Sequence, residues 1–199
     1  PAAWADLLEE MSKACALAEA KGVKLGIEPE LANVVDSAAA ARRLIDTLKS
    51  PAIGIVLDPA NLFEIAEEGE RRRIIASAVE LLADRIVMAH AKDRNADGSF
   101  ATAGKGVIDF AHFLGCLKQA GFDGDLVTHG LAADEAAGLP AYLKGLGARR
   151  PRAGSRAMGC GLPCMMRAAR GGLSSSSMAS AAMRGRRRRP FRRMRAFAG

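Results

Sequence analysis

The sequence predicts an α/β fold, a partial (β/α)8 (TIM) barrel of about four βα units followed by a disordered basic tail. Three observations predict it. The expected strands are short continuous runs of Val, Ile and Leu, the pattern of parallel strands buried on both faces. They alternate with amphipathic helices along residues 1–147. The strand ends, Glu28, Asp58, His90 and His129, follow one another at gaps of 30, 32 and 39 residues. A barrel of about 250 residues averages about 31 per unit. A doubly wound sheet needs a phosphate-binding turn, and no G-x-G-x-x-G or G-x-x-x-x-G-K-[ST] follows any strand. Gly104-Lys105-Gly106 lacks that context and is expected to be a flexible loop.

The elements follow in order. Trp4 to Ala20 is an expected helix, with Leu7, Leu8, Met11, Cys15, Leu17 and Ala18 at helical spacing and Gly22 as its stop. Val23 to Glu28 is a strand closed by Pro29. Ser37 caps a helix through Leu48. Ile53 to Asp58 is a second strand, closed by Pro59, and Arg71 to Ala83 a third helix. Arg85 to His90 is the third strand, and Lys92 to Lys105 a polar loop carrying Asp97-Gly98. Asp109 caps a helix to Ala120, ended by Gly121. Asp125 to His129 is the fourth strand and Ala132 to Leu146 the last helix.

The 199 residues suffice for one core, and 49% hydrophobic with 26% charged residues excludes a collagen-like or wholly disordered chain. The net charge of +7 conceals two parts. Fourteen of the 29 basic residues, all Arg, lie between Arg149 and Gly199, which hold no Lys, Asp or Glu. The first 148 residues keep 15 basic against all 22 acidic residues, a net −7. Residues 148–199 form the low-complexity tail, with Ser174 to Ser177 and Arg186 to Arg189 as runs and no apolar periodicity. Such composition cannot offset its ordering entropy, so disorder is expected. One reading makes the tail an arm for nucleic acid, with Arg184 to Arg195 on phosphates. The other makes it GC-rich DNA read out of frame. We favour the second, which makes a nucleic-acid partner unexpected.

No run of 18 apolar residues is present, so no membrane span is expected. The start carries Asp6, Glu9 and Glu10 and lacks a basic segment before an apolar stretch, so no signal peptide is expected and a cytoplasmic location fits. Cys15 and Cys116 are expected as small buried hydrophobes. Cys160 and Cys164 lack the further ligands of a zinc site.

The chemistry lies at the strand ends. Each of the four strands ends in a metal-capable residue, Glu28, Asp58, His90 and His129. In a parallel barrel all these ends open on one face. Mixed carboxylate and imidazole ligation suits Mn²⁺, Fe²⁺, Co²⁺ or Zn²⁺. A lone Asp before Pro is usually a turn residue and a lone His a hydrogen-bonded one. Register lifts the set: two of three histidines and two carboxylates occupy equivalent positions of successive units. His112 falls within a helix and is expected to be structural.

The segments Gly26-Ile27-Glu28-Pro29-Glu30, Val56-Leu57-Asp58-Pro59-Ala60-Asn61-Leu62, His90-Ala91-Lys92-Asp93 and Gly104 to Phe110 resemble the second half of the sugar phosphate isomerase/epimerase family. That family has the xylose isomerase-like barrel and includes ketose 3-epimerases, inosose dehydratases and endonuclease IV-type enzymes. The resemblance covers about residues 1–147 and implies strands five to eight. It implies that Glu28, Asp58 and His90 are metal ligands, Glu28 also moving a proton. It places His129 where the family usually has a glutamate that is both ligand and acid/base. Asn61 takes the place of a substrate-facing histidine, and Lys92 and Arg94 are expected to meet the substrate. The implied cofactor is a divalent ion, Mn²⁺, Mg²⁺, Co²⁺ or Zn²⁺. The implied substrate is a small sugar or polyol, and the implied reaction is proton abstraction next to a carbonyl through an enediolate. His129, an imidazole, suits either direction of proton transfer. Dehydratase or lyase chemistry fits the same site. An isolated half barrel leaves open sheet edges and an uncovered inner face, so self-association and little activity are expected.

Overall fold

The computed structural model describes residues 2–148 and 194–196. Within them the order is α1 (Ala2–Lys21), β1 (Leu25–Ile27), α2 (Ala38–Leu48), β2 (Ile53–Leu57), α3 (Glu68–Leu82), β3 (Ile86–His90), β4 (Lys92–Arg94), β5 (Phe100–Thr102), α4 (Phe110–Gln119), β6 (Asp125–Thr128), α5 (Leu139–Ala148) and β7 (Met194–Ala196). Strands β1, β2, β3, β6 and β7 form one sheet in that order, each pair parallel. A doubly wound sheet reverses its strand order at a switch point. Here space follows sequence, and successive helices pack against one another. That is the local rule of a barrel wall.

Local signals explain the boundaries. The Ser37 hydroxyl accepts the Ala40 amide at the start of α2, and the Asp109 carboxylate accepts the His112 amide at the start of α4 at 2.9 Å. α2 ends at Lys49, the one described non-glycine residue with a positive φ, 53°. α5 starts at Leu139, seven residues later than Ala132. Pro140 is the reason: it lacks an N–H and is tolerated only in the first turn of a helix. α1 turns Cys15 and Ala18 inward but leaves Leu17 exposed.

The helix layer carries most of the core. Leu44 and Ile45 from α2, Ile75 and Leu82 from α3 and Phe113 and Leu117 from α4 are at most 1% exposed. They join Ile53, Ile55, Leu57 and Leu126 of the sheet in one apolar cluster. Burying each such side chain contributes about 1.5–3 kcal/mol. The opposite sheet face is looser, and Val87 on β3 is 40% exposed.

A register shift lies between β2 and β3: Ile55 pairs Ile86, but Val56 pairs Met88, so Val87 is an extra residue. This bulge positions the site. Strict alternation from Ile86 would turn His90 to the helix face, because a one-residue slip inverts every later side chain. With the bulge, Ala89 shares the helix face with Leu57 and Leu126, and His90 faces the other way with Val127.

The expected polar loop after β3 is instead a hairpin. β4 and β5 pair antiparallel, Lys92 with Thr102 and Arg94 with Phe100. Lys92, Asp93 and Arg94 are at most 8% exposed. Composition misled because each charged group there has a partner within the fold, described below. Of the tail, Met194–Ala196 lies parallel to β6, so disorder does not extend to those three residues. β7 occupies the side of β6 that β3 does not pair, and so takes the edge of the sheet. The rest of the tail, with Cys160, Cys164 and the run Arg186 to Arg189, lies outside the described residues. Among the described residues, no helix is long and apolar enough to cross a membrane.

Candidate metal centre

Four strand ends meet. Glu28 follows β1, Asp58 follows β2, His90 closes β3 and His129 follows β6. Each offers one ligand atom, and these atoms lie within 4.8 Å of one another. His90 Nδ1 is 3.0 Å from Glu28 Oε1 and 3.8 Å from Asp58 Oδ2. His129 Nε2 is 3.3 Å from the same Asp58 oxygen. The imidazoles stand edge to face with centroids 4.5 Å apart. Ligand bonds of about 2.0–2.2 Å place two donors on one ion up to about 4.4 Å apart, so the cluster fits a divalent cation after small side-chain movement. Two carboxylates and two imidazoles also match the chemistry of such a cation.

Asp58 is the buried member, with no exposed side chain. Its Oδ1 accepts the Ala60 amide at 2.9 Å and so caps the turn Pro59–Asn61. Its Oδ2 is left toward the imidazoles. The oxygen that caps the turn and the oxygen available to an ion are therefore different atoms of one residue. Burial pushes the Glu28 carboxyl up, but the His90 hydrogen bond and the charges of His90, His129 and Lys92 outweigh it and hold it below its ordinary value.

The residues expected to meet a substrate divide. Lys92 Nζ stands 3.7 Å from Asp58 Oδ2 and donates to Asn61 Oδ1 at 3.0 Å. The Asn61 amide donates its Nδ2 to Glu28 Oε1 at 2.9 Å. Both ends of Asn61 are thus committed to protein, which makes it a bridge between Lys92 and Glu28 rather than an open substrate contact. Arg94 is also turned to the protein: Nε donates to the Ala60 carbonyl at 2.9 Å, and Nη1 to the Gly98 carbonyl. Its guanidinium fastens the hairpin to the turn after β2. Lys92 and Arg94 both lie over the Phe100 ring, 4.0 and 4.4 Å from its centroid.

Sequence reasoning missed Asp93, Phe100 and Glu135. Asp93 had a signal, its place after the lysine of His90-Ala91-Lys92-Asp93; Glu135 had none. Glu135 accepts from Thr102 Oγ1 at 2.7 Å, from the Ala132 amide at 3.0 Å and from Lys105. The Lys105 hydrogen bond leads in lowering its carboxyl from 4.5 to about 2, with the Thr102 and Ala132 bonds adding to it. A lowered folded-state value contributes stability above the unfolded value and loses it as pH falls through the folded one. The Glu135→Gln variant should therefore be less stable than the parent at pH 6, and the gap should close between about pH 4.5 and pH 2. Urea midpoints across that range read it; a gap that does not change with pH would contradict the assignment.

His112 is structural, as expected: its Nε2 donates to the Arg72 carbonyl at 2.9 Å. Cys15 is buried, but Cys116 is only partly so and lies 3.6 Å from His112 Nε2. Gly104 and Gly106 direct their amides to Asp93, so that loop is tied down and forms no phosphate cradle.

The sequence profile of the xylose isomerase-like TIM barrels matches residues 1–146. The chain belongs to the xylose isomerase-like TIM barrel family. Solved structures of the family share its fold at low identity. A xylose isomerase domain protein from Planctomyces limnophilus is 21% identical with a TM-score of 0.59, over 72% of this chain and 51% of that one. A probable 3-DHS dehydratase from Bacillus anthracis is 14% identical with a TM-score of 0.57, over 72% and 56%. A xylose isomerase-like TIM barrel protein from Mycobacterium smegmatis, in complex with magnesium, is 16% identical with a TM-score of 0.52, over 74% and 51%. The chain thus spans about half the length of these structures. No curated protein matches it at a significant level.

Proposed function

We propose that residues 1–147 are the metal-holding part, strands five to eight, of a divalent-metal-dependent sugar isomerase or epimerase. The carrying observation is the convergence of Glu28, Asp58, His90 and His129 within 4.8 Å. These four side chains would hold the ion, Mn²⁺, Mg²⁺, Co²⁺ or Zn²⁺. When bound, such an ion acts as a Lewis acid that polarises a carbonyl oxygen. The substrate is a small sugar or polyol, in keeping with relatives such as an L-ribulose 3-epimerase, 21% identical with a TM-score of 0.51.

The chain's own groups supply the proton chemistry. Glu28, held ionised by its neighbours, takes the proton from the carbon beside the carbonyl; the C–H electron pair moves into the enediolate. His129, whose side chain is 34% exposed, is the second proton carrier. A proton delivered by His129 to the opposite face of the same carbon inverts it, while Glu28 keeps the one it took; delivery to the neighbouring carbon, with the hydroxyl proton passing between the two enediolate oxygens, moves the carbonyl. Lys92, beside Asp58, offers the cation that faces the developing oxyanion. The tail, residues 148–199, is a separate low-complexity segment in this reading. With β1 at a sheet edge and Val87 uncovered, copies of the chain associate and turnover is low.

Deuterium wash-in tests the reaction. A panel of keto- and aldo-sugars is incubated in D₂O with Mn²⁺, and exchange beside the carbonyl is followed by NMR. Exchange should need the metal and fall about 10²–10⁴-fold in Glu28→Gln. Metal binding without exchange of any sugar would overturn the proton-transfer assignment.

A further inference from the structure

We propose that Asp93 is a positioning residue of this centre: its carboxylate pins the β4–β5 hairpin and thereby holds Lys92 against the Asn61 and Asp58 side of the site. The inference rests on the reading of Lys92 as the cation of that site. Asp93 has no exposed surface. Its Oδ1 accepts the amides of Arg94 at 2.8 Å and Ile108 at 3.0 Å. Its Oδ2 accepts those of Gly104 and Gly106, each at 3.0 Å. The four amides lie within β4 and beyond the end of β5, so one carboxylate closes both limbs of the hairpin. A hairpin of three residue pairs is marginal without such support.

Strand alternation puts Lys92 and Arg94 on the face opposite Asp93. There Lys92 Nζ meets Asn61 at 3.0 Å, Asp58 at 3.7 Å and the Phe100 ring at 4.0 Å. Nothing in Asp93's own contacts reaches the metal ligands; it acts through Lys92. The glycines belong to the same device. Gly104 holds a φ of +87°, and a Cβ on Gly106 would collide with the Arg94 carbonyl and the Asp93 carboxylate. An asparagine at position 93 keeps one accepting oxygen and turns an NH₂ toward the other two amides.

Lysine acylation of the full chain, read by mass spectrometry far below melting, tests it. The ratio of Lys92 to Lys13 labelling is the readout, since the Lys13 side chain is 59% exposed and that of Lys92 11%. In Asp93→Asn the ratio should rise about tenfold as the hairpin opens. Mn²⁺ affinity should change by less than the about tenfold expected when a residue supporting the ligands themselves is lost. Gly106→Ala should reproduce the same change in ratio. A fall in melting temperature with an unchanged ratio would overturn the proposal. Should the variants fail to fold, the native chain decides: the amides of Arg94, Gly104, Gly106 and Ile108 should exchange with solvent as one protected group, and fast independent exchange would refute it. Absence of Mn²⁺ binding in the parent would sink the metal reading, while the labelling ratio would still decide the role of Asp93.

Discussion

Mn²⁺ at 100 times its Kd should raise the unfolding free energy by about 2.7 kcal/mol, provided only the folded chain binds it. For a domain of this size that corresponds to roughly 5–10 °C in Tm. The gain depends on residues that meet only in the fold, since the four proposed ligands are spread from Glu28 to His129. Glu28→Gln and His90→Ala should each abolish it. His112→Ala should keep it, because His112 sits on α4 against the Arg72 carbonyl, outside the cluster. Differential scanning fluorimetry with and without the ion distinguishes the three variants. Equal shifts in all three would contradict the ligand assignment.

The second large effect lies in the helix layer. Phe113 of α4 is fully buried in the cluster that joins the helices to the sheet. Truncation to alanine removes its contacts and leaves a cavity that close-packed neighbours fill only partly. Phe113→Ala should cost about 3–5 kcal/mol, read from urea unfolding. Where the variant remains folded, its Mn²⁺ affinity should match the parent's, because all four proposed ligands emerge from strand ends rather than from α4. A loss of affinity without a loss of stability would show that the helix layer sets the ligand geometry, contrary to the account.

Much of this was legible in the residues. The caps Ser37 and Asp109 act locally, through hydrogen bonds to amides three residues on, so a window of a few residues contains the cause. The meeting of the four strand-end residues was legible because parallel strands share a direction, and their spacing placed four ends on one rim. Other features depend on partners far along the chain. The bulge at Val87 exists only relative to β2, yet it decides which face His90 occupies. Lys92, Asp93 and Arg94 read as solvated by composition, and their burial depends on Asn61, Ala60 and the amides of residues 104–108. Asn61 looked free for a substrate because nothing local reveals that Glu28, 33 residues earlier, takes its amide.

In the proposed centre two imidazoles and two carboxylates share one ion. Electron spin-echo envelope modulation of the Mn²⁺-loaded chain counts directly coordinated imidazole nitrogens. Two such nitrogens in the parent, with one remaining in His90→Ala and one in His129→Ala, is the expected result. A loaded parent showing no imidazole nitrogen, or a spectrum unchanged by both substitutions, would contradict it.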